Sequence, residues 1–307
     1  MPPDPRPRRP GPGLRSFHHS EFPAERLRAE RTQTISVCVP TREEASTIAG
    51  VVGPLVSLRD LGVVDQVVVI DAGSVDGTAA IARGGGAEVH AEAELVPEFG
   101  PVAGKGDAMW RALSVLTGDL VCFVDGDTED FDERFACGVL GPLVCDPRVH
   151  YVKGFYRRPF RSSGSISPTG GGRVTELTAR PLLAAFYPEL ATIRQPLAGE
   201  MAGRRDLLER IAFCTGYAVE IGLLLDIYAE VGLGGMAQVD LDVRQNDHQP
   251  LDALAAMSAA VLGVVTSRLR REGRLLDDAR VGAPLERPPH RTVAGAQEGR
   301  RDDRRTG

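Results

Sequence analysis

The sequence predicts an α/β protein in which βα units build a largely parallel sheet that carries a helical annex. Three observations support this reading. Apolar runs of strand length alternate with segments whose apolar residues repeat at helical spacing. Four of those runs end beside polar residues, as strands do when a ligand crevice lies outside their carboxyl ends. The composition, 42% hydrophobic and 25% charged over 307 residues, is that of a globular chain able to bury a core.

The first strand is Ile35 to Val39, stopped by Pro40, and "REEAST" then opens a helix carrying Ile48, Val51, Val52 and Leu55. Pro40 and Thr41 therefore sit at a strand's carboxyl end. Val67 to Ile70 form a second strand that runs into Asp71 and the turn "AGSVDGT", before a helix begun by Ala79, Ala80 and Ile81. A third, short strand surrounds Val89. From Lys105, the residues Ala108, Met109, Ala112, Leu113 and Leu116 repeat at helical spacing, and "DLVCFVDGD" follows as a buried strand ending in acids. Farther on, Leu254, Met257, Val261 and Val265 mark a helix from about Leu251 to Arg271 that packs on the core or on a second subunit.

A net charge of −6 argues against nucleic acid as the main partner, because phosphate backbones reward a basic face. The cysteines, Cys38, Cys122, Cys137, Cys145 and Cys214, are odd in number and lack the spacing of a zinc or redox motif. They read as small buried hydrophobes in a reducing compartment, which points to the cytoplasm. No apolar run reaches the roughly 20 residues of a membrane span, and the arginine-rich start has no apolar segment behind it, so neither a span nor a secretion signal is expected.

Asp125 and Asp127 close an all-apolar strand, and hard oxygen ligands one residue apart can hold Mg2+ or Mn2+ against a diphosphate. The plainer alternative is a solvated turn in which Gly126 supplies the bend. Asp71 ends its strand where a carboxylate can accept the imide N–H of a uracil ring, with Glu44 a weaker contact to ribose or base. Ser74 or Asp76 instead suits helix capping. Lys105 lies between two glycines that would let the backbone approach a ligand, and its charge can neutralise a diphosphate. Arg157, Arg158 and Arg161 precede a loop of Gly170, Gly171 and Gly172 that ends in Arg173 and Thr175, a cradle suited to a phosphate. Glu220 stands in an apolar helical run where an unpaired carboxylate would cost several kcal/mol, so it needs a partner: a sugar hydroxyl or a structural cation. His248 follows a strand and precedes a helix, where its imidazole could complete a metal shell begun by Asp127.

Taken in order, "CVPTREEASTI", "VVVIDAGSVDGT", "GKGDAMWRAL", "FVDGD", "VKGFYRRP", "TGGGRVTEL", "QPLAGE" and "GYAVEIGLL" resemble the actinobacterial glucosyl-3-phosphoglycerate synthase family over roughly Ser36 to Arg268. The resemblance implies a glycosyltransferase A-type fold. It also implies an Mg2+- or Mn2+-dependent transfer of glucose, usually from UDP-glucose, to the 2-hydroxyl of 3-phosphoglycerate with retention. Pro40, Thr41, Glu44, Asp71, Lys105 and Asp125 would contact the donor, and Leu197 and Glu220 would line the sugar pocket. Asp127 and His248 would hold the metal, although Asn246 aligns where some relatives carry the histidine. Gly172, Arg173 and Thr175 would hold the acceptor, and Lys105, Asp127 and Glu220 are the catalytic candidates. On this reading residues 21–155 form the nucleotide-sugar region and 156–286 the acceptor and helical region of the same domain. Residues 1–20 and 287–307, whose polar composition cannot pack a core, are expected to be disordered tails, and a homodimer is expected. A mannosyl-3-phosphoglycerate synthase using GDP-mannose and a non-catalytic nucleotide-sugar sensor are the rival readings.

Overall fold

A computed structural model describes residues 13–158, 160–162, 165–167, 172–245, 251–275 and 285–293. Its strands are β1 (Arg15–His18), β2 (Ile35–Thr41), β3 (Gln66–Asp71), β4 (Glu88–Ala91), β5 (Leu120–Phe123) and β6 (Tyr151–Arg157). They are followed by β7 (Phe160–Ser162), β8 (Ser165–Ser167), β9 (Met201–Arg204), β10 (Phe213–Cys214), β11 (Met236–Val243) and β12 (Glu286–Arg287). Eight of them form one sheet in the order β1-β11-β6-β9-β5-β2-β3-β4. Its ladders are parallel except at β9, which runs antiparallel to both β5 and β6.

Alternate residues of each strand feed two cores, as the period of two requires. Cys38, Val68, Ile70, Val121, Phe123 and Met201 face the helices Lys105–Ala112, Val219–Val231 and Leu251–Arg271. Val37, Val39, Val67, Val69, Cys122 and Ala202 face the helices Ile48–Asp60 and Glu133–Cys145. By length and composition alone Leu251–Arg271 is apolar enough to cross a bilayer. Its Val261, Val264, Val265 and Leu269 nevertheless lie in the core, and its buried Arg268 pairs with Asp226 at 2.6 Å.

Several boundaries differ from the sequence reading. β2 continues through Pro40 to Thr41, in register with Ile70 and Asp71 of β3. The β5 ladder stops at Cys38, so Pro40 lies beyond it, where a residue without an N–H is tolerated. "REEAST" is not helical, and the helix starts at Ile48. Its backbone is bound instead to the turn after β3: Glu43 N donates to Ser74 Oγ (2.9 Å), Glu44 N to Thr78 Oγ1 (2.8 Å) and Ala45 N to Asp76 Oδ2 (2.9 Å).

The tail limits 1–20 and 287–307 also need correction. β1 lies within the first and pairs with β11 from Arg15↔Ala237 to His18↔Asp240, an edge that a four-residue strand in an arginine-rich flank does not advertise. At the other end, Glu286 and Arg287 pair with β10, and buried Val293 joins the core. Arg287 bonds Asp107 at 2.6 Å, and Trp110 Nε1 donates to Pro288 O at 2.8 Å.

Candidate active site

The acidic turn leaves β5 through Val124, whose N–H donates to Cys38 O at 3.1 Å. Gly126 lies in the turn the sequence suggests but is not in a left-handed conformation, so the bend itself does not demand a glycine. A Cβ there would stand 2.9 Å from Thr41 Cγ2 and 3.6 Å from Glu44 Cγ, and Thr47 Oγ1 donates to Gly126 O at 2.7 Å. The glycine admits close packing, which sets Thr41 and Glu44 against the turn between Asp125 and Asp127. Burial, with the negative charges of Asp127 and Asp125, pushes the Glu44 carboxyl up to about 7.

Lys105 begins a helix whose flanking glycines serve the protein rather than a ligand. A Cβ on Gly106 would lie 1.9 Å from Cys214 O, and one on Gly104, at φ 82, would lie 3.2 Å from Gly216 Cα. This tight seating aims Lys105 Nζ at Asp125 Oδ1 (2.5 Å) and Glu220 Oε1 (2.8 Å). Glu220 thereby finds its partner in a cation of the same site. Burial opposes the Lys105 charge, but Asp125 and Glu220 outweigh it and raise the pKa above the usual lysine range.

Arg244 was not foreseen from the sequence, yet it organises the centre. Its guanidinium, 1% exposed, donates to Asp125 Oδ2 (2.8 Å), Asp127 Oδ1 (2.5 Å) and Tyr156 Oη (2.8 Å), and approaches Glu200 Oε1 at 3.1 Å. Burial alone would push Asp125 up, but Lys105 and Arg244 hold its carboxyl well below the ordinary range. Burial raises the wholly buried Glu200, against the pull of Arg244. An arginine fork suits this task because it presents several fixed donors to carboxylates at once.

The segment Leu197–Gly199 links this centre to a second pocket. A Cβ on Gly199 would fall 2.2 Å from both carboxylate oxygens of Asp125, so the backbone lies directly on that side chain. One residue earlier, Ala198 O accepts from the buried Lys153, whose ammonium burial pushes down to about 8. Leu197 and Ala198, with Gln195, Arg158, Gly172 and Thr175, then line a small cavity. Arg158 donates to Tyr156 Oη at 3.1 Å, and its buried Nε has no hydrogen-bond partner. Gly172 takes φ 73, which favours glycine, and Thr175 opens a π-helical turn to Ala179. The acidic turn and the glycine-arginine cradle thus meet through three consecutive residues.

Asp71 holds its own loop, its Oδ2 accepting from Gly73 N (3.2 Å) and Ser74 N (3.1 Å), while the buried Oδ1 has no partner. Asp76 Oδ1 accepts at 3.0 Å from the N–H of Thr78, the first residue of the helix Thr78–Gly84, whose N-cap position itself is taken by Gly77. Arg173 stands just after Gly172 at the start of the helical segment. Asn246, His248, Gly170 and Gly171, and the side chain of Arg161, lie outside the described residues. The donor set fits a hard divalent cation. Arg244 holds Asp125 Oδ2 and Asp127 Oδ1 and competes with an ion there, but Asp127 remains 41% exposed and keeps its second carboxylate oxygen for one.

Sheet and site together are those of a glycosyltransferase, and residues 36–171 match the family described as Glycosyl transferase family 2. A glucosyl-3-phosphoglycerate synthase of Mycolicibacterium smegmatis is 48% identical over 78% of this chain and 79% of its own. One from Petrotoga mobilis is 43% identical over 85% and 82%. The chain belongs to the glucosyl-3-phosphoglycerate synthase family. Among solved structures, mannosyl-3-phosphoglycerate synthase from Rubrobacter xylanophilus superposes with a TM-score of 0.83 at 45% identity, covering 91% of this chain and 96% of that one. Glucosyl-3-phosphoglycerate synthase from Mycobacterium tuberculosis, in complex with Mn2+, UDP-glucose and phosphoglyceric acid, gives 0.80 at 38% identity over 91% and 99%.

Proposed function

We propose that this protein transfers glucose from UDP-glucose to the 2-hydroxyl of 3-phosphoglycerate with retention, as a homodimer in the cytoplasm. The observation that supports the reading is the segment Leu197–Gly199, whose Leu197 and Ala198 line the cavity with Arg158 and Thr175 while Gly199 packs on Asp125, so that an acceptor anion in that cavity would lie beside a donor held near Asp125. The relatives' names and the ligands of the Mycobacterium tuberculosis structure support the choice of substrates.

Asp127, with Asp125 beside it, would hold Mg2+ or Mn2+, which when bound neutralises the donor diphosphate. Pro40, Thr41, Glu44 and Asp71 line the nucleotide end, where the unpaired Asp71 Oδ1 accepts an N–H of the base. Lys105 donates hydrogen bonds from two of its ammonium N–H groups to Asp125 and Glu220, which leaves the third N–H to donate to an oxygen of the departing diphosphate. Glu220, gripped by that lysine, positions the sugar beside Leu197 and does not attack it. Gly172, Arg173 and Thr175, with Arg158, hold the acceptor so that its hydroxyl enters on the face the diphosphate leaves, passing its proton to a donor phosphate oxygen.

The rival donor is GDP-mannose, favoured by the likeness to the Rubrobacter xylanophilus enzyme. The protein should be incubated with Mg2+, 3-phosphoglycerate and either UDP-glucose or GDP-mannose, and the product identified by mass and sugar chromatography. Glucosyl-3-phosphoglycerate formed with UDP release is expected. Mannosyl product would shift the donor assignment, and nucleotide binding with no transfer would leave a sensor.

A further inference from the structure

We propose that His18, His19 and Asp242 form a second divalent-metal site, selective for a borderline transition cation of the Zn2+ type and separate from the Asp125–Asp127 turn. His18 Nε2 lies 3.4 Å from Asp242 Oδ1, and His19 Nε2 lies 2.8 Å from Asp242 Oδ2. The three donor atoms all fall within 4.8 Å of one another. A tetrahedral zinc ion, with ligands at about 2.0–2.1 Å, needs donors about 3.4 Å apart, a spacing these three side chains reach by small rotations.

The fold brings these residues together from opposite ends of the described chain. β1 pairs in parallel with β11, placing His18 against Asp240, and β11 is irregular between Asp240 and Val243. Within that irregularity Asp242 takes φ 66, which turns its carboxylate back toward both imidazoles. A bulge re-aims a side chain in this way. Ser20 N donates to His18 Nδ1 at 3.3 Å and Ser20 Oγ lies 2.8 Å from the same nitrogen, so an ion on Nε2 requires Nδ1 to take the proton, give up that backbone bond and donate to the hydroxyl instead. The side chains of His18 and Asp242 are 42% and 44% exposed, which leaves room for water as a fourth ligand.

The competing cation is Arg157, whose Nη2 is 3.8 Å from Asp242 Oδ1. Its side chain is 70% exposed and can swing into solvent. Two imidazoles and one carboxylate favour Zn2+ and its neighbours over Mg2+, whereas the all-oxygen pair at Asp125 and Asp127 has the opposite preference. The two sites therefore select different ions. An ion here would fasten the four-residue edge strand to β11 two residues before Arg244, the side chain that bridges Asp125 and Asp127.

The test titrates Zn2+ into the full chain by calorimetry in saturating Mg2+, with Co2+ absorption as a spectroscopic readout of ligand type. Wild type should take up one equivalent, with a rise in Tm and visible Co2+ bands of a histidine-containing site. His19→Ala and, independently, His18→Gln should each weaken Zn2+ binding by about tenfold or more, since even outer partners of a zinc site are worth that much. Asp127→Asn should keep it. The proposal is overturned by absence of Zn2+ uptake in wild type. Unchanged affinity in either histidine variant, or loss of binding in Asp127→Asn, would equally overturn it.

Discussion

Replacing Arg244 by alanine removes the one guanidinium that touches Asp125, Asp127, Glu200 and Tyr156 together. Glu200 is wholly buried, so the variant leaves it without the cation in contact with it, with only the more distant Arg158 and Lys153 remaining. Breaking a buried pair by deleting one partner costs about 3–5 kcal/mol. At about 2–4 °C per kcal/mol for a chain of this size, Tm should fall by about 6–20 °C. The loss should also depend on pH. Burial already raises the Glu200 carboxyl, and removing Arg244 raises it further. Between the ordinary glutamate value and that raised value the folded state holds more protons than the unfolded chain, so its stability falls as pH rises through the window. Urea unfolding of both proteins at pH 5.5 and pH 8 is the assay, with the larger deficit expected at pH 8. A deficit under about 1 kcal/mol at pH 8, or one equal at both pH values, would refute the assignment of Arg244 as the neutralising charge.

Gly199→Ala puts a methyl group 2.2 Å from the Asp125 oxygens, so the carboxylate must leave Lys105. A shift of about 1 Å there should lower kcat/KM about 100-fold, with a much smaller change in Tm. Gly106→Ala instead meets a backbone oxygen at 1.9 Å, and urea denaturation should show a loss of about 1–3 kcal/mol or more. Lys153 has a folded pKa of about 8, and the unfolded chain titrates at about 10.4, so the unfolded state binds more protons between those values. Wild-type stability should accordingly gain a component as pH rises from 8 to 10 that Lys153→Met lacks in the same unfolding assay. Arg158→Ala should raise the KM for 3-phosphoglycerate while leaving that for UDP-glucose nearly unchanged in steady-state kinetics, and equal effects on both would remove Arg158 from the acceptor pocket.

β2, β3 and β5 were legible because each is an apolar run buried on both faces, whereas the parallel β1 and β6 carry no such run and were missed. β9 was not legible either, since "MAGR" has neither a run nor an alternation and is strand only because β5 and β6 flank it. Asp125 and Asp127 were legible because two acids at the end of an apolar strand need a reason. Arg244 was hidden because its meaning depends on the fold bringing it to Asp125 from 119 positions away. The glycines around Lys105 illustrate a different limit. Sequence shows that backbone must come close to something, but here it is the carbonyl of Cys214 and the backbone of Gly216 rather than a ligand. Gly199, against Asp125, is the case where the same logic does reach the site.

A cation held by Asp127 and an anion held by the Arg158–Thr175 pocket should occupy neighbouring ends of one cleft. Crystals grown with Mn2+, UDP and 3-phosphoglycerate test it through the anomalous signal of manganese. A peak within bonding distance of the Asp127 carboxylate, with the phosphoglycerate bounded by Arg158, Gly172 and Thr175, is the predicted result. Manganese away from Asp127, or the acceptor on another face of the sheet, would contradict it.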